Sequence, residues 1–114
     1  MGTWKASRGS SSVDSPDREA QLRALAECRL RIDAIDLELL ALLNERTRVV
    51  EEIGCIKRRI ELPIYEPRRE DEVFRNVTEN NRGPLAHDAV RRLFERIIDE
   101  MRHVQRVRME AERS

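Results

Sequence analysis

An apolar stripe at helical spacing runs from Leu25 to Ile60 without a proline, and it dictates an unusually long helix. Its members are Leu25, Cys28, Ile32, Ile35, Leu39, Leu42, Arg46, Val49, Ile53, Ile56 and Ile60, in steps of three and four. Ser15-Pro16-Asp17 reads as the helix start, with proline at the first helical position and acid in the first turn. The pattern continues to Leu62, where Pro63 stops it. A helix of about 45 residues spans ~65 Å, whereas a compact chain of 114 residues has a radius of gyration near 13 Å (an order-of-magnitude figure). The stripe therefore has to be covered by something outside its own fold, and a second copy of the chain is the economical choice.

Arg46 is the one charged member of that stripe. A guanidinium cannot be neutralised and is costly to bury, so it demands an anion on that face. Lys57 lies eleven residues further on, about three turns along, only ~20° round the axis and ~16 Å away. Two long cationic side chains on one face can converge on a small dianion. Taken singly, each has a plainer reading. Arg46 can be a core arginine paired with a carboxylate of a partner helix, and Lys57 a lysine snorkelling to the surface.

Composition narrows the class. Net charge is zero, so no long-range attraction to nucleic acid or to an anionic membrane is expected. Of the 22 basic residues only Lys5 and Lys57 are lysine, so Lys57 is an uncommon choice of point-charge donor in an arginine-rich chain. Four prolines and four glycines, nearly all outside the apolar runs, suit an all-α fold. Cys28 and Cys55 are ~40 Å apart along one helix and cannot bridge within a chain. His87 and His103 are isolated, and no cluster has metal-ligand spacing. Nothing reads as a secretory or membrane-spanning segment, so a cytoplasmic protein is expected.

Residues 1–15 are Ser/Gly-rich and aperiodic and read as a disordered leader, with Trp4 exposed in it. The expected domain covers 16–110, with 111–114 as a frayed end. Pro63 to Pro67 forms a short rigid linker; a second helix starts near Pro67, with Glu66 at its cap, and ends at Asn80-Asn81-Arg82-Gly83-Pro84. A third starts around His87-Asp88 and carries Val90, Leu93, Phe94, Ile97, Ile98, Met101 and Val104 at helical spacing, fraying after Val107. Gly54 inside the first helix costs roughly 1 kcal/mol, and its simplest role is to admit another backbone or a ligand.

In order and spacing, three runs are similar to the all-helical class of chorismate mutases: Arg29-Leu30-Arg31-Ile32-Asp33-Ala34-Ile35-Asp36, Leu40-Ala41-Leu42-Leu43-Asn44-Glu45-Arg46 and Glu52-Ile53-Gly54-Cys55-Ile56-Lys57. Pro67-Arg68-Arg69-Glu70 and Arg92-Leu93-Phe94-Glu95-Arg96-Ile97-Ile98 extend the likeness, which covers about residues 20–107. The later half especially resembles mutase domains fused to the first enzyme of the shikimate pathway. The resemblance implies three helices per chain intertwined in a homodimer with two sites. It implies a pericyclic (Claisen) rearrangement of chorismate to prephenate, at the entry to phenylalanine and tyrosine synthesis. Such chemistry calls for no nucleophile, metal or cofactor. It calls for cations that hold the compact conformer of a dianion, and for donors aimed at the ether oxygen.

By that resemblance Arg46 binds one carboxylate of the substrate, and Arg29 of the other subunit binds a carboxylate too. Arg29 is 17 residues from Arg46, ~25 Å along the helix and on another face, so one chain cannot bring both to one ligand. Lys57 and Gln105 fall at the positions of the ether-oxygen donors, Glu66 and Glu70 at those that accept from the ring hydroxyl, and Arg69 supports the carboxylate end. Three positions depart from the pattern. Glu66 replaces a shorter aspartate, Met101 stands where relatives have serine, and Gln105 matches stand-alone enzymes where fused domains carry glutamate. Without the resemblance, Gln105 is uninformative and Glu66 with Glu70 is a capping arrangement. Asp36 reads as an ion-pair partner, Cys55 as outward and inert, and Arg68, Arg91, Arg102, Arg106 and Arg108 as solvated surface.

Other functions fit the same pattern. An isochorismate–pyruvate lyase or a 4-amino-4-deoxychorismate mutase would share the cationic core and differ around the ring substituent near Glu66. A non-catalytic dimerisation element, or a regulatory partner of another shikimate-pathway enzyme, would use the long helix alone.

Overall fold

Ser15 starts the first helix as its sequence position predicts. Its Oγ accepts the backbone N–H of Arg18 at 3.0 Å, capping a helix that begins with Pro16. The computed structural model describes residues 15–113; the expected leader, apart from Ser15, lies outside the described residues, as do Trp4 and Ser114. Three helices make up the described chain: α1 (Pro16–Arg59), α2 (Pro67–Glu79) and α3 (His87–Arg113). Among the described residues no strand occurs and no helix is long and apolar enough to cross a membrane.

α1 ends three residues before the predicted Leu62. Glu61 adopts the left-handed conformation, with φ 59°. The Glu61 N–H bonds the Arg58 carbonyl at 3.3 Å and the Leu62 N–H bonds the Lys57 carbonyl at 2.8 Å. These two bonds satisfy the last open carbonyls of the helix in the pattern usually built on glycine. Pro63 makes the early stop necessary, because the residue before a proline is pushed out of the helical region. α3, in contrast, continues past the predicted fraying point at Val107 to Arg113. The strong helix formers Arg108, Met109, Glu110 and Ala111 sustain it, and the Arg58 guanidinium donates to the Met109 carbonyl at 3.4 Å.

The chain divides within α1 into two units, residues 1–42 and 43–114. In the described part of the first unit every side chain beyond Ser15 is exposed. Ile32, Leu39 and Leu42 of the stripe keep 55%, 52% and 62% of their surface open, more than three such residues would leave to water in a finished fold.

In the second unit the core consists of Val50, Phe74, Val90, Ile98 and Met101. α2 packs on α3, and Arg91 stays on the surface as its sequence suggested, 52% exposed, with its guanidinium 4.2 Å above the Phe74 ring. The buried face of α1 here is Val50, Gly54 and Lys57. The neighbouring stripe of Val49, Ile53, Ile56 and Ile60 remains exposed. The α2–α3 turn is tied by Asn81, whose Oδ1 accepts from the Gly83 N–H at 3.0 Å and whose Nδ2 donates to the Leu85 carbonyl at 2.8 Å. Gly83 carries φ 76°, a conformation suited to glycine.

The left-handed Glu61 gives a direct test of this termination. Glu61→Gly should stabilise the protein by about 1 kcal/mol, and the β-branched Glu61→Val should destabilise it. The two variants should move the urea midpoint in opposite directions.

Candidate active site

The second unit encloses a cavity of about 740 Å³ whose lining comes from α1, the 60–66 linker, α2 and α3. Val50, Ile53, Ile64, Val73 and Ile98 form apolar walls. Set into them are the cations Arg46, Lys57, Arg68, Arg69 and Arg102 and the carboxylates Glu66, Glu70 and Glu72. Apolar walls around converging charges are the usual construction of a small-molecule site.

Lys57 sits deepest, with 7% of its side chain exposed. Its Nζ donates to the Ile64 carbonyl at 2.9 Å and to Gln105 Oε1 at 3.1 Å, and pairs with Glu66 Oε1 at 2.8 Å. These three acceptors match the three N–H donors of an ammonium group, so the lysine is buried and fully engaged rather than snorkelling. Gly54, one turn before Lys57, lets α3 approach: a Cβ there would stand 3.5 Å from the Gln105 Cα. Gln105 is 8% exposed. Its carbonyl oxygen is held by Lys57, which leaves the amide N–H₂ as the donor on this side chain.

Glu66 occupies the N-cap position of α2 but makes no capping hydrogen bond. Its carboxylate is committed to Lys57 instead, which replaces the capping arrangement expected from sequence. A buried ammonium demands a counter-charge more strongly than a helix terminus open to water does.

Arg46 has no carboxylate within ion-pair distance among the described residues, and it is half-buried. Burial pushes its guanidinium below the ordinary arginine range, and the positive charge of Arg69 adds to that effect. Because arginine keeps its proton in proteins, both influences appear as a site that favours an incoming anion. The remaining acids of the cavity are already paired, Glu70 with Arg102 at 3.0 Å and Glu72 with Arg69 at 3.3 Å. Five lining cations against three paired carboxylates leave Arg46 and Arg68 without a carboxylate partner among the described residues. A dianion would balance them.

Of the residues singled out from sequence, Arg46, Lys57, Glu66, Arg69, Glu70, Met101 and Gln105 all line this cavity. Arg29 belongs to the first unit and is exposed there. Met101 is buried, with its Sδ 3.6 Å from Thr47 Oγ1. Arg102, expected on the solvated surface, is only 30% exposed and lines the cavity, whereas Arg68 is exposed as expected and borders the cavity from the surface. The signal for Arg102 was present in its spacing: four residues from Ile98 and three from Gln105, hence on their face of α3. Cys55 is half-buried rather than outward.

Residues 28–106 match the family model described as chorismate mutase type II. The bifunctional chorismate mutase/prephenate dehydratase of Pseudomonas aeruginosa is 40% identical over 83 residues, covering 68% of this chain and 22% of that relative. The chain thus spans about a fifth of the length of the bifunctional relatives it matches. Among solved structures, a chorismate mutase from Thermus thermophilus superposes with a TM-score of 0.69 at 35% identity, covering 75% of this chain and 94% of its own. A chorismate mutase from Helicobacter pylori in complex with prephenate gives a TM-score of 0.72 at 28% identity, covering 77% and 96%. With the three helices, the cationic cavity and the match over most of its length, this chain belongs to the chorismate mutase type II family.

Proposed function

We propose that this chain is a chorismate mutase that converts chorismate to prephenate in the cytoplasm, as a step of aromatic amino acid synthesis. The observation that carries this reading is Arg46, a half-buried guanidinium without a carboxylate partner among the described residues, beside the buried Lys57–Gln105 pair in an apolar-walled cavity. Arg46 binds one substrate carboxylate, with Arg69 alongside, and Arg29 of a second copy binds a carboxylate too. Together they hold the substrate in its compact reactive conformer.

As the C–O bond breaks, negative charge grows on the ether oxygen. Lys57 and the Gln105 amide N–H₂ donate to it and stabilise the transition state more than the substrate. Lys57 has all three donors in use, so one acceptor must yield. Glu66, 42% exposed, is the acceptor most able to move, and it then meets the ring hydroxyl together with Glu70. Met101 supplies apolar contact where related enzymes have serine.

The catalytic unit is a homodimer of the 16–110 domain. The exposed stripe from Leu25 to Leu42 in the first unit is the surface a second copy would cover. The prephenate dehydratase portion of the bifunctional relatives supports partnership with a neighbouring enzyme of the same pathway. Incubating purified protein with chorismate tests the reading directly: prephenate should accumulate as chorismate is lost, and unchanged chorismate would overturn it.

Arg46→Ala and Lys57→Ala should each lower kcat/KM by roughly 10²–10³, the usual scale for losing one preorganised donor, with the helical circular dichroism retained. Lys57→Ala should act mainly on kcat, because its contact strengthens only as charge develops.

Arg29→Ala and Arg46→Ala chains should each be inactive alone. Co-refolded, they should recover activity, since each mixed dimer holds one intact site. Absence of recovery would remove the shared site.

Gln105→Glu keeps the shape of the side chain but donates only when protonated, and a glutamate ordinarily titrates near 4.3 (approximate reference value). Its activity should fall at neutral pH, where a carboxylate would face the developing oxyanion, and recover toward acid. Wild type, with a neutral amide, should vary little over that range.

A further inference from the structure

Arg102 is held from three sides. Its Nη2 donates to Asp99 Oδ1 at 2.7 Å on its own helix, the Tyr65 ring lies 5.5 Å from the guanidinium carbon, and its Nε stands 3.0 Å from Glu70 Oε2. The Arg102 side chain is 30% exposed and that of Glu70 19%, so this pair is better shielded from solvent than the surface pairs Arg91–Glu95 and Arg96–Glu100. The Nε–H lacks the alignment of a hydrogen bond. The contact is therefore one of charge, and the lone pairs of Glu70 remain open to a ligand.

We infer that Arg102 is a specificity-determining positioning residue: by compensating the charge of Glu70 it makes this end of the cavity select a neutral hydroxyl on the substrate ring over an ammonium. The inference rests on the mutase reading above, in which Glu70 and Glu66 face the ring substituent; Glu66 has the Lys57 ammonium 2.8 Å away as its counter-charge, and Arg102 supplies the corresponding charge for Glu70. An uncompensated carboxylate would attract a ring ammonium more strongly than a hydroxyl. A carboxylate already paired at 3.0 Å offers a second cation little net attraction. That second cation also meets the guanidinium a few ångströms away in a partly desolvated setting, where like charges repel strongly. A hydroxyl needs only a free lone pair and is indifferent to the guanidinium. Arg102 acts through Glu70 and need not touch the substrate.

The test compares kcat/KM for chorismate with that for 4-amino-4-deoxychorismate, using the full chain as wild type, Arg102→Gln and Arg102→Lys. Wild type should favour chorismate by at least about tenfold. Arg102→Gln should narrow that ratio by about tenfold or more, chiefly by improving the amino substrate, and Arg102→Lys, which keeps the charge, should preserve it. A merely structural role would lower both substrates together and leave the ratio unchanged. An unchanged ratio in Arg102→Gln with chorismate still consumed overturns the inference and leaves mutase activity standing. Equal use of both substrates by wild type overturns it without recourse to any variant. Turnover of neither substrate by wild type overturns the mutase reading itself.

Discussion

A lysine ammonium taken out of water is costly unless every donor finds an acceptor, and in the second unit that requirement organises the whole site. Lys57 reaches the linker at the Ile64 carbonyl, α2 at Glu66 and α3 at Gln105. One side chain on α1 thereby draws the start of α2 and the late turns of α3 around a common point. Gly54 makes this possible, because α3 can approach α1 closely only where no larger side chain intervenes. The glycine that weakens the helix locally is compensated by the polar network it admits. Removing an acceptor without replacing it would leave the ammonium under-satisfied, so an acceptor can leave only where another group takes its place.

The charges around that point are balanced except where a ligand would enter. Glu66, Glu70 and Glu72 are each matched to a cation, while Arg46 is pressed from solvent and faces the like charge of Arg69. A cavity in this state has already borne the cost of assembling its cations; an incoming dianion receives the benefit. For the proposed reaction, which forms no covalent intermediate, this would be electrostatic preorganisation: the charges are in place before a bond breaks. The apolar walls of Val50 and Ile98 shield the Lys57 interactions from water and so strengthen them, while the Arg69–Glu72 pair stays exposed.

Helix count, the capped start at Ser15, the bounds of α2 and the start of α3 were all legible in the chain, because they depend on local rules: a cap residue, proline at a first turn, the Asn-Asn-Arg-Gly-Pro stop. So was the placing of seven cavity residues, which followed from the family likeness although Glu66 and Met101 depart from its pattern. What escaped depended on competition between neighbours distant in sequence. Glu66 looked like a cap, and only the arrival of Lys57 showed which claim on its carboxylate prevails. Arg102 looked like surface, and only the placement of Glu70 and Tyr65 against α3 drew it into the cavity rim.

The long apolar stripe shows the same division from the other side. Periodicity alone determined that α1 is a long helix with an apolar face too extensive for a chain of this size, since a step of three or four residues is a property of the helix itself. Which face the chain buries on its own was a tertiary decision. The second unit uses Val50, Gly54 and Lys57, the face where α3 can approach, and leaves Val49, Ile53 and Ile56 open. Sequence thus determined the helices and the inventory of charges. Tertiary packing decided which charges pair with each other and which remain for a ligand, because pairing depends on distances that no single helix contains.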